Sequence, residues 1–124
     1  LQMTIQEFGT IMQEQAGVKI ILLNNNWLGN VRQWQEMFYK KIYSQTRMLN
    51  PDYGKIAEGY GIGYRLVEER KDLPAAIAEM LSDDKPFLLE VRVLEEVLVM
   101  PMIPPGKSIN EIMLNGNEWF EYGK

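Results

Sequence analysis

Residues 18–23, Val-Lys-Ile-Ile-Leu-Leu, are β-branched and apolar almost throughout, follow Gly17, and run into three asparagines, Asn24, Asn25 and Asn26. A short apolar run between turn signals reads as a strand covered on both faces, and such strands belong to the parallel sheets of α/β folds. The asparagines end it, because Asn tolerates left-handed backbone angles and its amide folds back on the chain. Parallel neighbours need long crossovers, so helices are expected on either side of the run.

The rest of the chain supplies them. Thr4 and Glu7 have the spacing of a capping box, and Ile5, Phe8, Ile11 and Met12 form a helical stripe to about Gln15, where Gly17 closes the helix. From Leu28 onward Val31, Trp34, Phe38 and Ile42 recur at helical spacing, with Arg32, Gln33, Gln35 and Glu36 as the polar face. Asn50-Pro51-Asp52 opens a third helix with Pro51 in its first turn, and Gly59 or Gly61 ends it. A strand over 64–68, a helix over 73–81 with Pro74 in its first turn, a turn at 83–86 and a strong strand over 87–93 follow. The order α-β-α-α-β-α-β predicts an α/β fold with an open parallel sheet and crossover helices, in which ligands bind where strand ends meet loops. Residues 1–93 make up that body. Residues 94–124, with Pro101, Pro104, Pro105 and Gly106, read as an irregular arm and tail of the same domain, with one more capping box at Ser108 and Glu111.

Composition removes several chemistries. The 124 residues include no Cys and no His, which excludes disulfides, a thiolate nucleophile, a Ser-His pair and Cys/His zinc sites. Any metal must sit on oxygen. Thirteen basic against 17 acidic residues give a net charge of −4, and no basic run exceeds Lys40-Lys41, so nucleic acid is not an expected partner. The longest apolar stretch, Ile20-Ile21-Leu22-Leu23, is far below the roughly 18 residues of a membrane helix, and the N-terminal end has no signal pattern. A cytoplasmic protein with no membrane partner is expected. Leu1 in place of a methionine reads as a piece of something longer.

Three constellations invite a functional reading. Gly59, Gly61 and Gly63 alternate, but they follow a helix and lack dinucleotide-fingerprint spacing, so helix termination is the reading. Glu68-Glu69, Asp83-Asp84 and Glu95-Glu96 are paired carboxylates at element edges and read as solvated. The stretch from Asn24 to Asn30 is better placed, at the carboxyl end of a parallel strand where phosphorylated ligands sit, and amide oxygens suit Mg²⁺. From the residues alone, a plain Asn-rich turn and a binding site stand level. Trp34, on the apolar stripe, reads first as core and second as the wall of a substrate pocket.

Longer runs carry a resemblance. Gln2-Met3-Thr4, Val18-Lys19-Ile20-Ile21-Leu22-Leu23-Asn24-Asn25, Leu28-Gly29-Asn30-Val31-Arg32-Gln33-Trp34-Gln35, Asn50-Pro51-Asp52-Tyr53, Ala57-Glu58-Gly59-Tyr60-Gly61-Ile62, Leu88-Leu89-Glu90-Val91 and Pro101-Met102-Ile103-Pro104-Pro105-Gly106 resemble the C-terminal thiamine-diphosphate domain of the acetolactate (acetohydroxyacid) synthase family, in register from Leu1 to about Met113. The Val-Arg-Gln-Trp-Gln and Pro-Met-Ile-Pro-Pro-Gly runs are specific to that family.

The resemblance implies a carboligase of branched-chain amino-acid biosynthesis that decarboxylates pyruvate and joins the two-carbon unit to pyruvate or 2-oxobutyrate. It implies thiamine diphosphate and Mg²⁺, with Asn25 and the main-chain carbonyl of Trp27 as metal ligands. Asn25, Asn26, Trp27, Leu28, Gly29 and Asn30 would line the cofactor, and Trp34 would help select the second 2-oxoacid. The family's Gly-Asp-Gly motif and its activating Glu do not occur in the chain, so no catalytic side chain is assigned and the isolated segment is expected to be inert. Asn30 stands where the family usually has Met. Expected partners are the N-terminal domains, further copies in a homo-oligomer and a regulatory small subunit, and FAD, where the family carries it, binds another domain. The alternatives are another thiamine-diphosphate decarboxylase or carboligase, such as glyoxylate carboligase, and a non-catalytic module.

Overall fold

The computed structural model describes residues 1–115. The chain divides into two compact units, one of Leu1–Asn25 with Asn50–Val93 and the other of Asn26–Leu49 with Leu94–Lys124.

The first unit holds a parallel sheet. Its strands are β1 (Lys19–Asn24), β2 (Gly63–Val67) and β3 (Phe87–Arg92), in the order β1-β3-β2. Lys19 is in register with Phe87 and Asn24 with Arg92, and across the other ladder Gly63 pairs with Phe87 and Val67 with Val91. Helices α1 (Glu7–Glu14), α3 (Tyr53–Gly59) and α4 (Leu73–Met80) belong to the same unit, and the second unit holds α2 (Gly29–Phe38). The order of helices and strands is the one read from the sequence.

β3 is the strand buried on both faces. Leu88 packs with Phe8, Tyr53, Ala57 and Ile62, while its neighbour Leu89 packs with Val67, Ala76 and Met80, as strand alternation requires. Full burial of each leucine contributes about 1.5–3 kcal/mol. The 18–23 run, expected to be covered on both faces, is instead an edge strand. Ile20 and Leu22 pack on the first cluster, whereas Ile21 and Leu23 are 54% and 66% exposed. The reason is positional: α4 packs on β2 and β3, and no described helix of this unit covers the outer face of β1.

Several ends differ from expectation. Thr4 and Glu7 do not form a capping box: residues Gln2–Thr4 make a 3-10 turn, the Thr4 hydroxyl donates to the Leu1 carbonyl, and Glu7 accepts from Thr10. The left-handed residue closing α1 is Gln15, not Gly17. Gly17 is required for another reason, because a Cβ there would lie 2.1 Å from the Asp84 carbonyl oxygen. Pro51 precedes α3 and is not in its first turn. Asp52 is the N-cap, and its carboxylate accepts the Lys55 N–H at 3.0 Å, which holds its pKa below the ordinary value. Gly61, at φ +65°, closes α3, with Gly61 N–H on the Glu58 carbonyl and Ile62 N–H on the Ala57 carbonyl, so the glycine pattern is a helix stop.

In the second unit α2 is turned opposite to the periodicity. Arg32 and Gln33, read as the polar face, are buried, and Val31 and Trp34, read as the apolar stripe, are about half exposed. Gln33 pairs with the Val99 peptide in both directions, donating at 3.1 Å and accepting at 2.7 Å. Gln35 treats Ser44 alike, at 3.0 and 3.2 Å, and also accepts from Thr46. Amide side chains thus satisfy the backbone of irregular segments that have no strand partner. The arm's Ser108 and Glu111 form their capping box, and Lys107 and the Ser108 N–H hold the Glu111 carboxyl down to about 2.

Candidate cofactor site

The three asparagines do three different jobs. Asn24, the last residue of β1, is buried, and its amide donates to Glu90 Oε1 at 2.7 Å while its oxygen accepts from Asn50 at 2.8 Å. Asn25 follows at the carboxyl end of the strand and is the last residue of that segment of the first unit. Asn26 adopts φ +59°, the left-handed turn that Asn accepts at little cost.

Beyond the turn, Trp27 forms an antiparallel bridge with Arg47. The two bonds of that bridge are Met48 N–H to the Asn26 carbonyl and Leu28 N–H to the Thr46 carbonyl, each 2.8 Å. They use the peptide groups flanking Trp27, so the Trp27 carbonyl is directed to the opposite side of the segment. Its indole N–H donates to Glu95 Oε2 at 3.1 Å, and the Asn26 amide donates to Glu95 Oε1 at 3.2 Å. These two bonds hold the Glu95 carboxyl below its ordinary pKa, the Trp27 bond foremost. Arg32 completes the support, its guanidinium 5.1 Å from the Trp27 ring centre and 5.0 Å from that of Tyr43, with Glu36 at 3.0 Å.

Leu28 is the N-cap of α2 and brings no side-chain acceptor, so the first amides of the helix, at Gly29 and Asn30, have no side-chain cap. Such a terminus suits a phosphate group. Asn25 and the Trp27 carbonyl offer neutral oxygens, the donor chemistry Mg²⁺ accepts when diphosphate oxygens and a further carboxylate supply the charge. Among the described residues no cluster of three or more His, Cys, Asp or Glu could hold a metal by itself. Amide and carbonyl oxygens of this kind are chemically compatible with Mg²⁺.

Trp34 lies further along α2. It is 46% exposed, stacks edge-on against Phe38 at 5.6 Å, and lines an open apolar recess of about 550 Å³ with Val31, Phe38, Tyr39 and Ile42. The core reading of Trp34 is corrected by that exposure.

Two carboxylates have roles that their local sequence does not show. Glu95 is exposed, as a paired surface carboxylate should be, and also accepts from Asn26 and Trp27. Glu90 is an acidic residue amid Leu88, Leu89 and Val91, a polar group at a core position, and that position is its signal in the sequence.

Residues 1–91 match the family model described as thiamine pyrophosphate enzyme, C-terminal TPP binding domain. The chain belongs to the thiamine pyrophosphate enzymes. It is 44% identical over 109 residues to the acetolactate synthase large subunit of Pyropia yezoensis, covering 86% of this chain and 18% of that protein. To the acetolactate synthase isozyme 2 large subunit of Escherichia coli K12 it is 40% identical over 112 residues, covering 90% of this chain and 20% of that one. Among solved structures, the thiamine diphosphate-dependent 4-hydroxybenzoylformate decarboxylase of Rhodococcus jostii RHA1 superposes with a TM-score of 0.66 at 29% identity, covering 73% of this chain and 17% of that chain. This thiamine pyrophosphate enzyme segment thus spans about a fifth of the length of the curated relatives it matches. Among the described residues no helix is long and apolar enough to cross a membrane.

Proposed function

We propose that this chain is part of a thiamine-diphosphate-dependent carboligase that joins pyruvate to pyruvate or 2-oxobutyrate, forming acetohydroxyacids. The observation that carries the reading is 40–44% identity to acetolactate synthase large subunits across nearly the whole chain. The same resemblance supports the surroundings: N-terminal domains that complete the site, a homo-oligomer with a regulatory small subunit and, where the family carries it, FAD on another domain.

What thiamine diphosphate supplies when bound is the electron sink for decarboxylating a 2-oxoacid. This chain's residues bind and orient. Asn25 and the Trp27 carbonyl would hold Mg²⁺, and the residues from Asn25 to Asn30 would line the cofactor. Glu95 keeps the Asn26-Trp27 turn in one geometry through its two accepted bonds. Trp34 presents an apolar face that discriminates the acceptor 2-oxoacid by one methyl group.

The full-length protein carrying this chain, supplied with thiamine diphosphate and Mg²⁺, is expected to form acetolactate from pyruvate. Carboligation of glyoxylate with no acetolactate formed from pyruvate would replace this reading with the glyoxylate carboligase alternative.

A further inference from the structure

The central strand carries one acidic side chain in its interior. Glu90 is 2% exposed, on the same face of β3 as Leu88, and burial of a carboxyl group is tolerated only with full hydrogen bonding. The partners come from both neighbouring strands. Asn24 of β1 donates to Oε1 at 2.7 Å, Tyr64 of β2 donates to Oε2 at 2.7 Å, and the Arg92 guanidinium stands 3.4 Å from Oε1. Burial, and then the bond to Glu90, push the Tyr64 hydroxyl up from its ordinary pKa, so it serves as a donor.

The network continues from Asn24. Its oxygen accepts from Asn50 at 2.8 Å, and the Asn50 oxygen in turn accepts from Tyr53 at 3.3 Å and Gln2 at 3.4 Å. Each bond depends on the direction of the next. Because Asn50 donates to the Asn24 oxygen, the Asn24 nitrogen must face the sheet interior, and an acceptor has to wait there. Glu90 is that acceptor. Asn24 and Asn50 also flank the segment 26–49, so the same bond ties together the two chain positions from which that segment departs and to which it returns.

We infer that Glu90 is a positioning residue for the metal site: by fixing the Asn24 amide it sets the end of β1 from which Asn25 presents its oxygen to Mg²⁺. The inference rests on the assignment of Asn25 as a ligand under the proposed function. Groups behind a metal ligand typically change metal affinity by 10–100-fold when removed, because they hold the ligand's orientation. Glu90 stands one residue further back, behind the neighbour of the ligand, and acts through a rigid strand end.

The test is a Mg²⁺ titration of the full-length protein at saturating thiamine diphosphate, read by tryptophan fluorescence, with the thermal midpoint of each variant measured alongside. Glu90→Leu removes the acceptor, and is expected to weaken Mg²⁺ binding about tenfold, the low end of that range because Glu90 acts through Asn24, whereas Glu90→Gln, which still accepts from Asn24 while Tyr64 turns its hydroxyl, stays within about threefold of wild type. Asn24→Ala breaks the same link, so it should weaken Mg²⁺ comparably, and combining it with Glu90→Leu should add little. Asn24→Ala also carries the test if Glu90→Leu does not fold. Wild-type Mg²⁺ affinity in Glu90→Leu or Asn24→Ala, with only the midpoint lowered and with Asn25→Ala still impaired, overturns the positioning role and leaves the metal assignment intact. Wild-type affinity in Asn25→Ala overturns the metal assignment itself.

Discussion

The Trp27 indole N–H rests on Glu95 Oε2 at 3.1 Å, so the residue whose main-chain carbonyl is proposed to face Mg²⁺ is held through its side chain by an acidic residue of the C-terminal arm. Because the bonds from Trp27 and Asn26 lower the Glu95 pKa in the folded protein, the sign of its pH dependence is fixed. The contribution is fully present above the ordinary carboxyl value of 4.5 and is lost as pH falls through the lowered folded value. The Trp27 indole proton resonance should therefore titrate below pH 4.5, and should not titrate in Glu95→Gln. A midpoint at or above 4.5 in the wild type contradicts the clamp.

Arg32 is 4% exposed, with its guanidinium over both the Trp27 and the Tyr43 ring. Arg32→Met should lower folding stability by about 3 kcal/mol, the lower end for breaking a buried ion pair, since Glu36 keeps some solvent contact. Arg32→Lys should recover less than half of that, because an ammonium lacks the planar stack. Chemical denaturation of the two variants checks both statements; equal stability of Arg32→Lys and wild type would remove the stacking argument.

Trp34→Leu should shift the ratio of 2-oxobutyrate to pyruvate used as acceptor, by an amount on the scale of about 1–3 kcal/mol for one methyl group. Its thermal midpoint should change little, since the indole is 46% exposed and its described ring partner is Phe38 on the same helix. Product ratio and midpoint measured on one sample decide the matter. An unchanged ratio with a large fall in midpoint would make Trp34 a packing residue.

Two glycines should respond in opposite directions. Gly17→Ala drives a Cβ to 2.1 Å from the Asp84 carbonyl and should cost more than about 1–3 kcal/mol, the usual range for overpacking. Gly59→Ala meets nothing within 4 Å at the last residue of α3 and should stabilise by about 0.4–1 kcal/mol through the unfolded chain. Denaturant midpoints of the pair test the close approach of residue 17 to the turn at 83–86.

Local sequence signals are legible where local physics decides. The stop of α3 at Gly61, Pro74 at the start of α4 and the apolar run of β3 each follow from one residue's backbone or burial preference. Periodicity failed where a side chain serves the backbone of a distant segment. Gln33 and Gln35 look like solvent residues, yet Gln33 satisfies the Val99 peptide, 66 residues away, and Gln35 the Ser44 peptide in the loop after the helix, and this turns α2 over. The run at 18–23 has the composition of a two-face strand but an edge position, which composition does not encode. The Asn triplet marks the end of β1, while the bonds of Glu90 and Glu95 to Asn24, Asn26 and Trp27 depend on pairings 66 to 69 residues away.

The claim at the centre of the account is that Asn25 supplies an oxygen to the Mg²⁺ that grips the cofactor. Isothermal titration of thiamine diphosphate into the full-length protein, with and without Mg²⁺, tests it on wild type and Asn25→Ala. Loss of a ligand to a charged centre is worth on the order of 1.5–3 kcal/mol, so Asn25→Ala should bind the cofactor tenfold or more weakly with Mg²⁺ present. Without Mg²⁺ the two proteins should be alike. Equal cofactor affinities for wild type and Asn25→Ala in the presence of Mg²⁺ would contradict the account.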